Sequence, residues 1–393
     1  MKIGFLVTYF YPFKDGTENN CLFLARELVK LGHEVHVFTS DRRNKTVIEN
    51  KEEVYDGICI HRCKTIFRYK YYLVFDIDLI TKLMKYDLDV LHVHSLGFPQ
   101  QDLAVLIRKL FTKTKIVNTP HGPFLGNTSK SHYNILRNLY RIIELPINLL
   151  YDAAIQVNSE QWRWLVKYGF KKSKIYYVPD GIPAATFRKI SNQSFREKHD
   201  LNNKIVISCL GRLVKYKGQE QIIKVLPNLI KKNPEIVLLI MGRDAGYGVQ
   251  LKILAKKLGV TDYVIFTGEV SDVEKLQGLE TSEIFVFPSE PGTEAFGIVT
   301  LEAMARGNAA ISTKIENGHP LIKHGYNGFL YDYGNLNALE NCLSKLIENK
   351  TIRTKFSKRN CAISKAFINE NIAKKLEQLY KDLDEKSIIK VSK

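Results

Sequence analysis

A basic loop bounded by glycines is one of two segments whose residue types could do chemistry. It runs from Gly211 to Gly218 (GRLVKYKG), between a β-rich stretch and a helical pattern that begins at Gln219. Arg212 offers a planar fork of hydrogen-bond donors, Lys217 offers a point charge, and the helix start offers free amides. This combination favours an anion site into which a diphosphate fits. A solvated basic loop is the alternative, which the flanking glycines make weaker.

The second segment carries two glutamates and reads FVFPSEPGTEAFGIVTLEAMARG. Its glycines and proline predict that a helix begins only at Ile298, which places Glu294 in a loop and Glu302 about one turn inside the helix. Eight positions on one helix span about 12 Å, so these carboxylates do not form the pair of a retaining glycosidase, whose separation is about 5 Å. We expect each to grip a different hydroxyl-bearing part of one ligand. A nucleoside diphosphate sugar, with phosphates between ribose and sugar, has that form.

Two weaker candidates follow strands in the first half of the chain. Gly16 stands where a loop enters a helix, so a phosphate or a sugar hydroxyl could approach the helix amides there; an ordinary loop with a cap is the alternative. A G-x-G-x-x-G motif is absent from this loop, which weakens a dehydrogenase interpretation. His121 follows KIVNTP and is expected to face a cleft, although a lone histidine is more often structural. His92 and His94 lack a third ligand at metal spacing, so we expect no metal site.

Other polar and thiol groups are expected to be structural. The D-x-D pairs Asp76/Asp78 and Asp87/Asp89 are interpreted as solvated ends of a helix and a strand. The cysteines form no C-x-x-C pair and mostly sit in apolar runs, as reduced thiols of a cytosolic protein do (Cys21, Cys59, Cys63, Cys209, Cys342 and Cys361).

The elements that must position these residues alternate between strands and helices, which is typical of parallel sheets covered by helices on both faces. We predict an α/β protein with two doubly wound, Rossmann-like domains. The predicted divisions are an N-terminal domain over 1–183, a linker over 184–203, a C-terminal domain over 204–365, a helix over 366–384 and a tail over 385–393. Ligands of such sheets bind at the carboxyl ends of the strands, so the informative residues lie just after strands.

Length and composition agree with two soluble domains. The chain has 393 residues, 45% of them apolar and 25% charged, and its formal net charge is +17. That excess calls for an acidic partner: nucleic acid, an anionic membrane surface or a phosphorylated small molecule. No apolar run approaches the roughly 18 residues of a membrane-spanning helix, so we expect a cytoplasmic protein that touches a membrane only from outside.

The motifs, taken in order, resemble the family four retaining glycosyltransferases of GT-B fold over essentially the whole chain. The matching segments are FYPFKDGTEN with ELVKLGHEV, DVLHVHS, TPHG, VPDGI, GRLVKYKG, FTGEV, FPSEPGTEAFGIVTLEAMARG and HGYNGFL. The basic loop and the two-glutamate segment are specific, and the others are supportive. The resemblance implies two domains that face each other across a cleft, with the last long helix crossing back to the N-terminal domain.

The resemblance also implies roles for the site residues. Arg212 and Lys217 would hold the donor diphosphate, and Glu302 the ribose hydroxyls. Glu294 would hold the donor sugar together with the backbone at Phe296, Gly297 and Ile298. His121 would face the sugar near the reacting carbon, Gly16 would lie beside the phosphates, and the backbone near Val270 would meet the base. Anomeric configuration would be retained without an enzyme nucleophile, and neither a metal nor another cofactor would be required.

Three departures from the family pattern bear on these roles. Gly16 is followed by Thr17 where members often have a second glycine. Asn308 and Ala309 replace the usual proline after the two-glutamate helix. The loop that commonly carries two glycines and a glutamate reads Asn317-Gly318-His319-Pro320-Leu321, which puts its contact with the sugar in question.

A basic stretch in the first domain suggests a further partner. From Leu103 to Ile143 it contains basic residues and no acidic one after Asp102, with aromatic residues interleaved (Arg108, Lys109, Lys113, Lys115, Lys130, Arg137 and Arg141; Phe111, Phe124, Tyr133 and Tyr140). Our hypothesis is that this face, with Arg62, Lys64, Arg68 and Lys70, rests on the anionic inner face of the cell membrane and meets a lipid-linked acceptor. A solvated basic face is the alternative.

The predicted function is transfer of a hexose-type sugar from a nucleoside diphosphate sugar to a glycan or polyprenol-linked acceptor, in cell-surface glycan or glycoprotein assembly. A phosphorylase or a sugar-nucleotide epimerase shares the architecture and stays open. A nucleic-acid-binding protein is the remaining alternative, although no helix-turn-helix, zinc finger or RNA-binding signature is present.

Overall fold

A computed structural model describes residues 1–13, 15–69, 73–121, 133–315 and 319–391 of the chain. These residues form two compact units. The first comprises Met1–Pro183 and Asn369–Lys393, and the second comprises Ala184–Ile368. The C-terminal helix therefore belongs to the first unit although it follows the second in sequence.

The first unit is built on an eight-stranded sheet in the order β12-β11-β10-β9-β1-β2-β6-β5. All neighbours in it are parallel except the edge strand β5, which is antiparallel to β6. Four further strands form two small antiparallel pairs, β3 with β4 and β7 with β8. The strands are β1 (Lys2–Leu6), β2 (Glu34–Ser40), β3 (Arg42–Arg43), β4 (Thr46–Val47), β5 (Glu52–Tyr55), β6 (Ile58–Cys63), β7 (Thr65–Tyr69), β8 (Leu73–Asp76), β9 (Val90–Val93), β10 (Lys115–Asn118), β11 (Ala153–Gln156) and β12 (Ile175–Tyr177).

Helices cover this sheet because its central strands are apolar on both faces and must be shielded from water on both. They are α1 (Gly16–Lys30), α2 (Leu79–Met84), α3 (Pro99–Phe111), α4 (Tyr133–Asn148) and α5 (Trp162–Lys167), together with the C-terminal helix α13 (Asn369–Val391). The apolar side of α13 packs against α1, where Ile372, Leu376 and Tyr380 are almost wholly buried. The prediction that the last long helix returns to the N-terminal domain is confirmed.

The second unit contains a six-stranded, wholly parallel sheet in the order β15-β14-β13-β16-β17-β18. The order reverses at β13, as in doubly wound folds, so the loops after β13 and β16 meet at the carboxyl edge. Its elements are α6 (Gln193–Lys198), β13 (Ile205–Leu210), α7 (Gln219–Lys232), β14 (Ile236–Met241), α8 (Gly248–Lys257), β15 (Val264–Gly268), α9 (Asp272–Thr281), β16 (Ile284–Phe287), α10 (Ile298–Ala305), β17 (Ala309–Thr313), β18 (Gly328–Tyr331), α11 (Leu336–Glu348) and α12 (Lys350–Ser364).

Two structural expectations need correction. The segment 184–203 contains a 3-10 turn and α6, whose Phe195 is buried in the second unit, so it is an ordered part of that unit. Its apolar side chains are too sparse to give a periodic stripe. Asp76 is not a solvated terminus: it is buried at the end of β8 and accepts hydrogen bonds of 2.6 Å from Ser40 and from Thr65. Burial raises the pKa of Asp76 to about 6.

All six cysteines are free, and four of them are buried, as predicted for core thiols. Within the described ranges, no helix combines the length and the apolar character needed to cross a bilayer.

Candidate active site

The basic loop of the second unit follows β13 and turns into α7 through a left-handed glycine. Gly218 has a φ of +69°, and a Cβ built on it would lie 2.1 Å from the carbonyl oxygen of Pro288. Only glycine fits there, because both the backbone conformation and the close approach exclude a side chain. The amide of Glu290 donates to the carbonyl of Tyr216 at 2.8 Å. The loop after β13 and the loop after β16 are therefore bound to each other.

Lys217 and Glu294 meet where these loops join. The Lys217 ammonium donates a short hydrogen bond to the Glu294 carboxylate, and the two side chains are only 15% and 19% exposed. The ammonium also lies 5.5 Å from the centre of the Phe287 ring, at the end of β16. Two of the predicted site residues, 77 positions apart in sequence, are thus in direct contact.

Arg212 lies on the same loop and is held by residues that follow it. Its guanidinium donates to the hydroxyl of Tyr216 at 2.9 Å, and its carbonyl accepts from Gln219 at 3.0 Å. A guanidinium has five N–H donors, so the bond to Tyr216 leaves others for an anion. Tyr216 was not predicted as a site residue, because a single aromatic residue in a cationic loop is too weak a signal of a role in binding.

The helix α10 begins at Ile298, as predicted, and its N-terminus is adjacent to Glu294. Gly297 has a φ of +84°, and among the described residues no side chain caps the helix at this position. Phe296 is buried and anchors the turn from inside the unit. The amide of Thr300 already donates to the carbonyl of Gly297 at 2.8 Å. The two preceding amides of the helix are available to a negatively charged group together with the positive end of the helix dipole.

Glu302 lies one turn inside α10 and is nearly buried. It accepts a hydrogen bond of 2.6 Å from Lys275, a residue of α9 that was not predicted as part of the site because no motif marks it. Burial alone would lower the pKa of Lys275, but the charge of Glu302 and the bond to it raise this pKa. Val270, expected near the base, lies in the loop between β15 and α9 and packs against the apolar core.

The first unit holds His121 in a buried cluster of polar side chains. His121 has a φ of +50°, which is uncommon for a residue with a side chain. Its Nε2 lies 3.0 Å from Nδ1 of His94, and its Nδ1 lies 4.0 Å from a carboxylate oxygen of Asp180, to which Asn20 donates at 2.8 Å. Burial lowers the pKa of His121 to about 4 and raises that of Asp180 to about 7. The strand-following position of His121 was predicted, but Asp180 and Asn20 were not.

The same cluster corrects the statement that the histidines lack a third potential metal ligand. In the described part of the chain, Cys21, His94 and His121 place one ligand atom each within 4.8 Å of the others. Cys21 comes from α1, so spacing in the sequence could not reveal it. The hydrogen bond between the two imidazoles would have to break for a metal to bind, and burial raises the pKa of the thiol well above its ordinary value.

Gly16 is the first residue of α1, and a Cβ built on it would meet no atom of the described residues within 4 Å. The backbone there is open. Gly122 of the TPHG motif and Asn317 and Gly318 of the variant loop lie outside the described residues. The structure thus groups Arg212, Lys217, Glu294, Gly297 and Glu302 in the second unit, and it places Gly16 and His121 in the first.

The comparisons with known proteins agree with this architecture. A family model described as "Glycosyltransferase Family 4" matches residues 14–186, and one described as "Glycosyl transferases group 1" matches residues 191–361. An N-acetyl-alpha-D-glucosaminyl L-malate synthase of Bacillus anthracis is 26% identical over 98% of this chain and 97% of its own. A phosphatidyl-myo-inositol mannosyltransferase of Mycolicibacterium smegmatis is 23% identical over 91% of this chain and 88% of its own.

Among solved structures, HepE of Anabaena in complex with UDP and glucose superposes with a TM-score of 0.76 at 18% identity, covering 97% of this chain and all of the other. Two Rossmann-like units, each built on a mainly parallel sheet, are the architecture of the GT-B fold. The chain belongs to the group 1 glycosyltransferases of that fold.

Proposed function

We propose that this glycosyltransferase is a retaining enzyme that moves a hexose-type sugar from a nucleoside diphosphate sugar to a glycan or lipid-linked saccharide, in cell-surface glycan or glycoprotein assembly. The observation that carries the proposal is the contact between Lys217 and Glu294 at the uncapped N-terminus of α10. It joins a cation for the phosphates to a carboxylate for the sugar hydroxyls.

The chemistry assigned to the cations is stabilisation of the leaving diphosphate. The acceptor hydroxyl attacks the anomeric carbon, the bond from that carbon to the phosphate oxygen breaks, and the hydroxyl proton passes to the departing phosphate. Negative charge grows on the diphosphate as this bond breaks, so Arg212, Lys217 and the amides of α10 act most strongly in the transition state. Attack on the face that the phosphate leaves would retain the configuration.

The carboxylates serve recognition in this proposal. Glu302 accepts hydrogen bonds from ribose hydroxyls, and Glu294 accepts them from the sugar, because an ionised carboxylate is an acceptor with about four lone-pair directions. His121 is assigned to the sugar near the reacting carbon, and its neutral imidazole can donate or accept. A hexose-type donor is supported by the similar proteins, which include HepE in complex with UDP and glucose, a mannosyltransferase and an N-acetyl-alpha-D-glucosaminyl L-malate synthase.

The test is a screen of nucleotide sugars by thermal shift, followed by turnover with membrane extracts as the acceptor source. Proton NMR of the product then reports the anomeric configuration, and we expect it to equal that of the donor sugar. An inverted product would contradict the retaining mechanism. Interconversion of the nucleotide sugar without an acceptor would indicate an epimerase, and dependence on inorganic phosphate would indicate a phosphorylase.

A membrane-facing surface on the first unit is part of the proposal, in modified form. Arg108 and Arg62 are buried and bonded to backbone carbonyls, so neither contributes to a basic face. Lys109 pairs with Asp152 at 2.7 Å. Lys70, Phe124 and Lys130 lie outside the described residues, as do the side chains of Tyr133 and Arg137. Several of the cations predicted for this face are therefore buried, paired or outside the described residues.

The proposed membrane-facing surface of the first unit is better defined by its exposed apolar side chains. They lie on the β7–β8 hairpin and its end, on α3, and on α4, and α3 contacts both β8 and α4. They are Ile66, Phe67, Tyr69, Phe75, Ile77, Leu103, Leu110, Phe111, Leu139, Ile142 and Ile143, between 43% and 74% exposed. Apolar groups of this kind beside the exposed Lys113 suit the headgroup region of an anionic bilayer.

Sedimentation with anionic and neutral liposomes at physiological salt tests the surface. Replacing Leu110 and Phe111 with serine should abolish binding to anionic vesicles. Replacing Val249 and Ile253, which are 63% and 61% exposed on α8 of the second unit, should leave it unchanged. If the wild-type protein stays in the supernatant, or both pairs have the same effect, the membrane proposal is wrong.

A further inference from the structure

A backbone hydrogen bond fixes the tautomer of His319, which lies in the loop that departs from the family pattern. Its Nδ1 lies 3.1 Å from the amide nitrogen of Leu321. A backbone amide can only donate, so Nδ1 accepts and the ring proton of the neutral imidazole is on Nε2. Burial lowers the pKa of His319 to about 3, which keeps the ring neutral at physiological pH. The side chain therefore presents one N–H donor in a fixed direction.

This donor is buried and has no hydrogen-bond partner among the described residues. Buried polar atoms are nearly always paired, because leaving water without a replacement bond costs free energy. A second such atom lies close by: the hydroxyl of Thr300, on the first turn of α10, is also buried and unpaired in the described part of the chain. Two unpaired polar atoms in one place indicate a ligand more strongly than either does alone.

Both atoms converge on Gly297, at the N-terminus of α10. A Cβ built on Gly297 would lie 3.7 Å from Nε2 of His319 and 3.4 Å from Oγ1 of Thr300. The imidazole packs edge-on against Phe287, with ring centres 6.5 Å apart, and the same Phe287 ring is adjacent to the Lys217 ammonium. The His319 imidazole and the Lys217 ammonium are thus both neighbours of the Phe287 ring, which also lies 3.4 Å from the Cβ built on Gly297 at the N-terminus of α10.

We propose that His319 is a further donor-binding residue, whose Nε2–H donates a hydrogen bond to an oxygen of the nucleoside diphosphate sugar beside Gly297. The inference rests on the proposed function and deepens it, since it assigns a donor contact to a residue of the loop that departs from the family pattern. The partner must be an acceptor, because a neutral, fixed N–H donor offers nothing to a second donor. Phosphate oxygens and sugar hydroxyls both qualify.

Two substitutions separate the proposed contact from a packing role. His319→Gln can place an amide N–H near the Nε2 position, whereas His319→Asn keeps only an oxygen near the Leu321 amide. Affinities are measured by calorimetry with UDP-glucose and GDP-mannose, each paired with its nucleoside diphosphate. For the ligand that the wild type binds, we expect His319→Asn to weaken binding about tenfold and His319→Gln to stay within about threefold.

The pattern of loss locates the acceptor oxygen. Equal loss for the diphosphate alone and for the nucleotide sugar assigns it to a phosphate, and loss for the nucleotide sugar only assigns it to the sugar. Melting temperatures without ligand should be equal for the Asn and Gln variants. Because the pKa of His319 lies far below neutrality, the loss should not change between pH 6 and pH 9.

Failure of the inference is distinguishable from failure of the proposed function. If Lys217→Gln abolishes binding while His319→Asn binds as tightly as the wild type, the function stands and the His319 contact is wrong. Equal losses for the Asn and Gln variants would likewise overturn it. If the wild type binds none of the four ligands, the proposed donor class and this inference both fall.

Discussion

In the proposed mechanism, replacing Lys217 with glutamine should remove a positive charge that stabilises the leaving diphosphate. The ammonium is 15% exposed, so an effective dielectric constant of about 20 is appropriate. A unit charge about 4 Å from a phosphate oxygen then contributes about 4 kcal/mol of stabilisation. In the variant, water, the amides of α10 and Arg212 compensate for part of this loss. We expect kcat/KM to fall about 100- to 1,000-fold, or about 3 to 4 kcal/mol in transition-state stabilisation.

The assay must separate this loss from destabilisation of the fold. Without Lys217, the carboxylate of Glu294 lacks its partner at 19% exposure, which should cost about 1 to 2 kcal/mol, less than for a fully buried pair. Lys224→Gln is the matched control: it removes the same charge from α7, where Lys224 pairs with Glu220 at 2.7 Å and is 39% exposed. Turnover of both variants is measured at a temperature where denaturation curves show them folded.

Two results would refute the reasoning. If Lys217→Gln lowers kcat/KM by less than about fivefold, the diphosphate does not depend on this ammonium in the transition state. If Lys224→Gln causes a comparable loss, the effect arises from the net charge of the unit and not from a contact at the loop. A rise in KM with unchanged kcat would show that Lys217 binds the ground state and the transition state equally well.

Three further predictions concern glycine and carboxylate positions. Gly16→Ala should fold with unchanged stability, since no atom lies within 4 Å of the added Cβ, yet should lower turnover if a ligand approaches there; unchanged kinetics would remove Gly16 from the site. Gly218→Ala should lower the free energy of unfolding by about 3 kcal/mol or more in denaturant titrations, because its Cβ would meet the Pro288 carbonyl at 2.1 Å; a loss below about 1 kcal/mol would show that the loop relaxes. Asp180 has a pKa of about 7 in the folded protein against 3.8 for an ordinary aspartate, so its contribution to stability is fully present below pH 3.8 and is lost as the pH rises from there to about 7. The difference in free energy of unfolding between wild type and Asp180→Asn should change by up to about 4 kcal/mol over that range. Both proteins contain the buried histidines, so the comparison isolates Asp180, and a difference that does not change with pH would contradict the assignment.

The alternation of strands and helices sufficed to predict both parallel sheets and the position of the site residues after strands. The apolar runs of β1, β9 and β13 were short enough to be strands and were followed by the helices α1, α3 and α7, so local pattern and fold agreed at these places. The start of α10 at Ile298 was predictable for the same reason, since glycine and proline exclude the preceding residues from a helix. These features depend on neighbours in sequence.

Features that depend on distant partners could not be predicted. Lys275 meets Glu302 from another helix, and Asp180 meets Asn20 across 160 residues. The segment 184–203 is ordered because Phe195 packs into the core of the second unit. Its polar composition gave no sign of this contact. Arg62 and Arg108 were predicted to lie on an exposed basic face, but both are buried. Each donates to a backbone carbonyl that is distant in sequence and that only the fold brings near.

Each glutamate of the proposed donor site is held in place by a lysine. Lys217 pairs with Glu294 before the start of α10, and Lys275 pairs with Glu302 within it, so neither carboxylate needs to be ordered by the ligand. A diphosphate that attracts Lys217 would weaken its bond to Glu294 and leave that carboxylate free to accept hydrogen bonds from sugar hydroxyls. Glu302 differs, because its partner Lys275 belongs to α9 and is not assigned to the diphosphate, so its bonds to the ribose need not change during transfer. In the proposed mechanism, one glutamate is therefore coupled to the leaving group and the other to the nucleotide that stays bound.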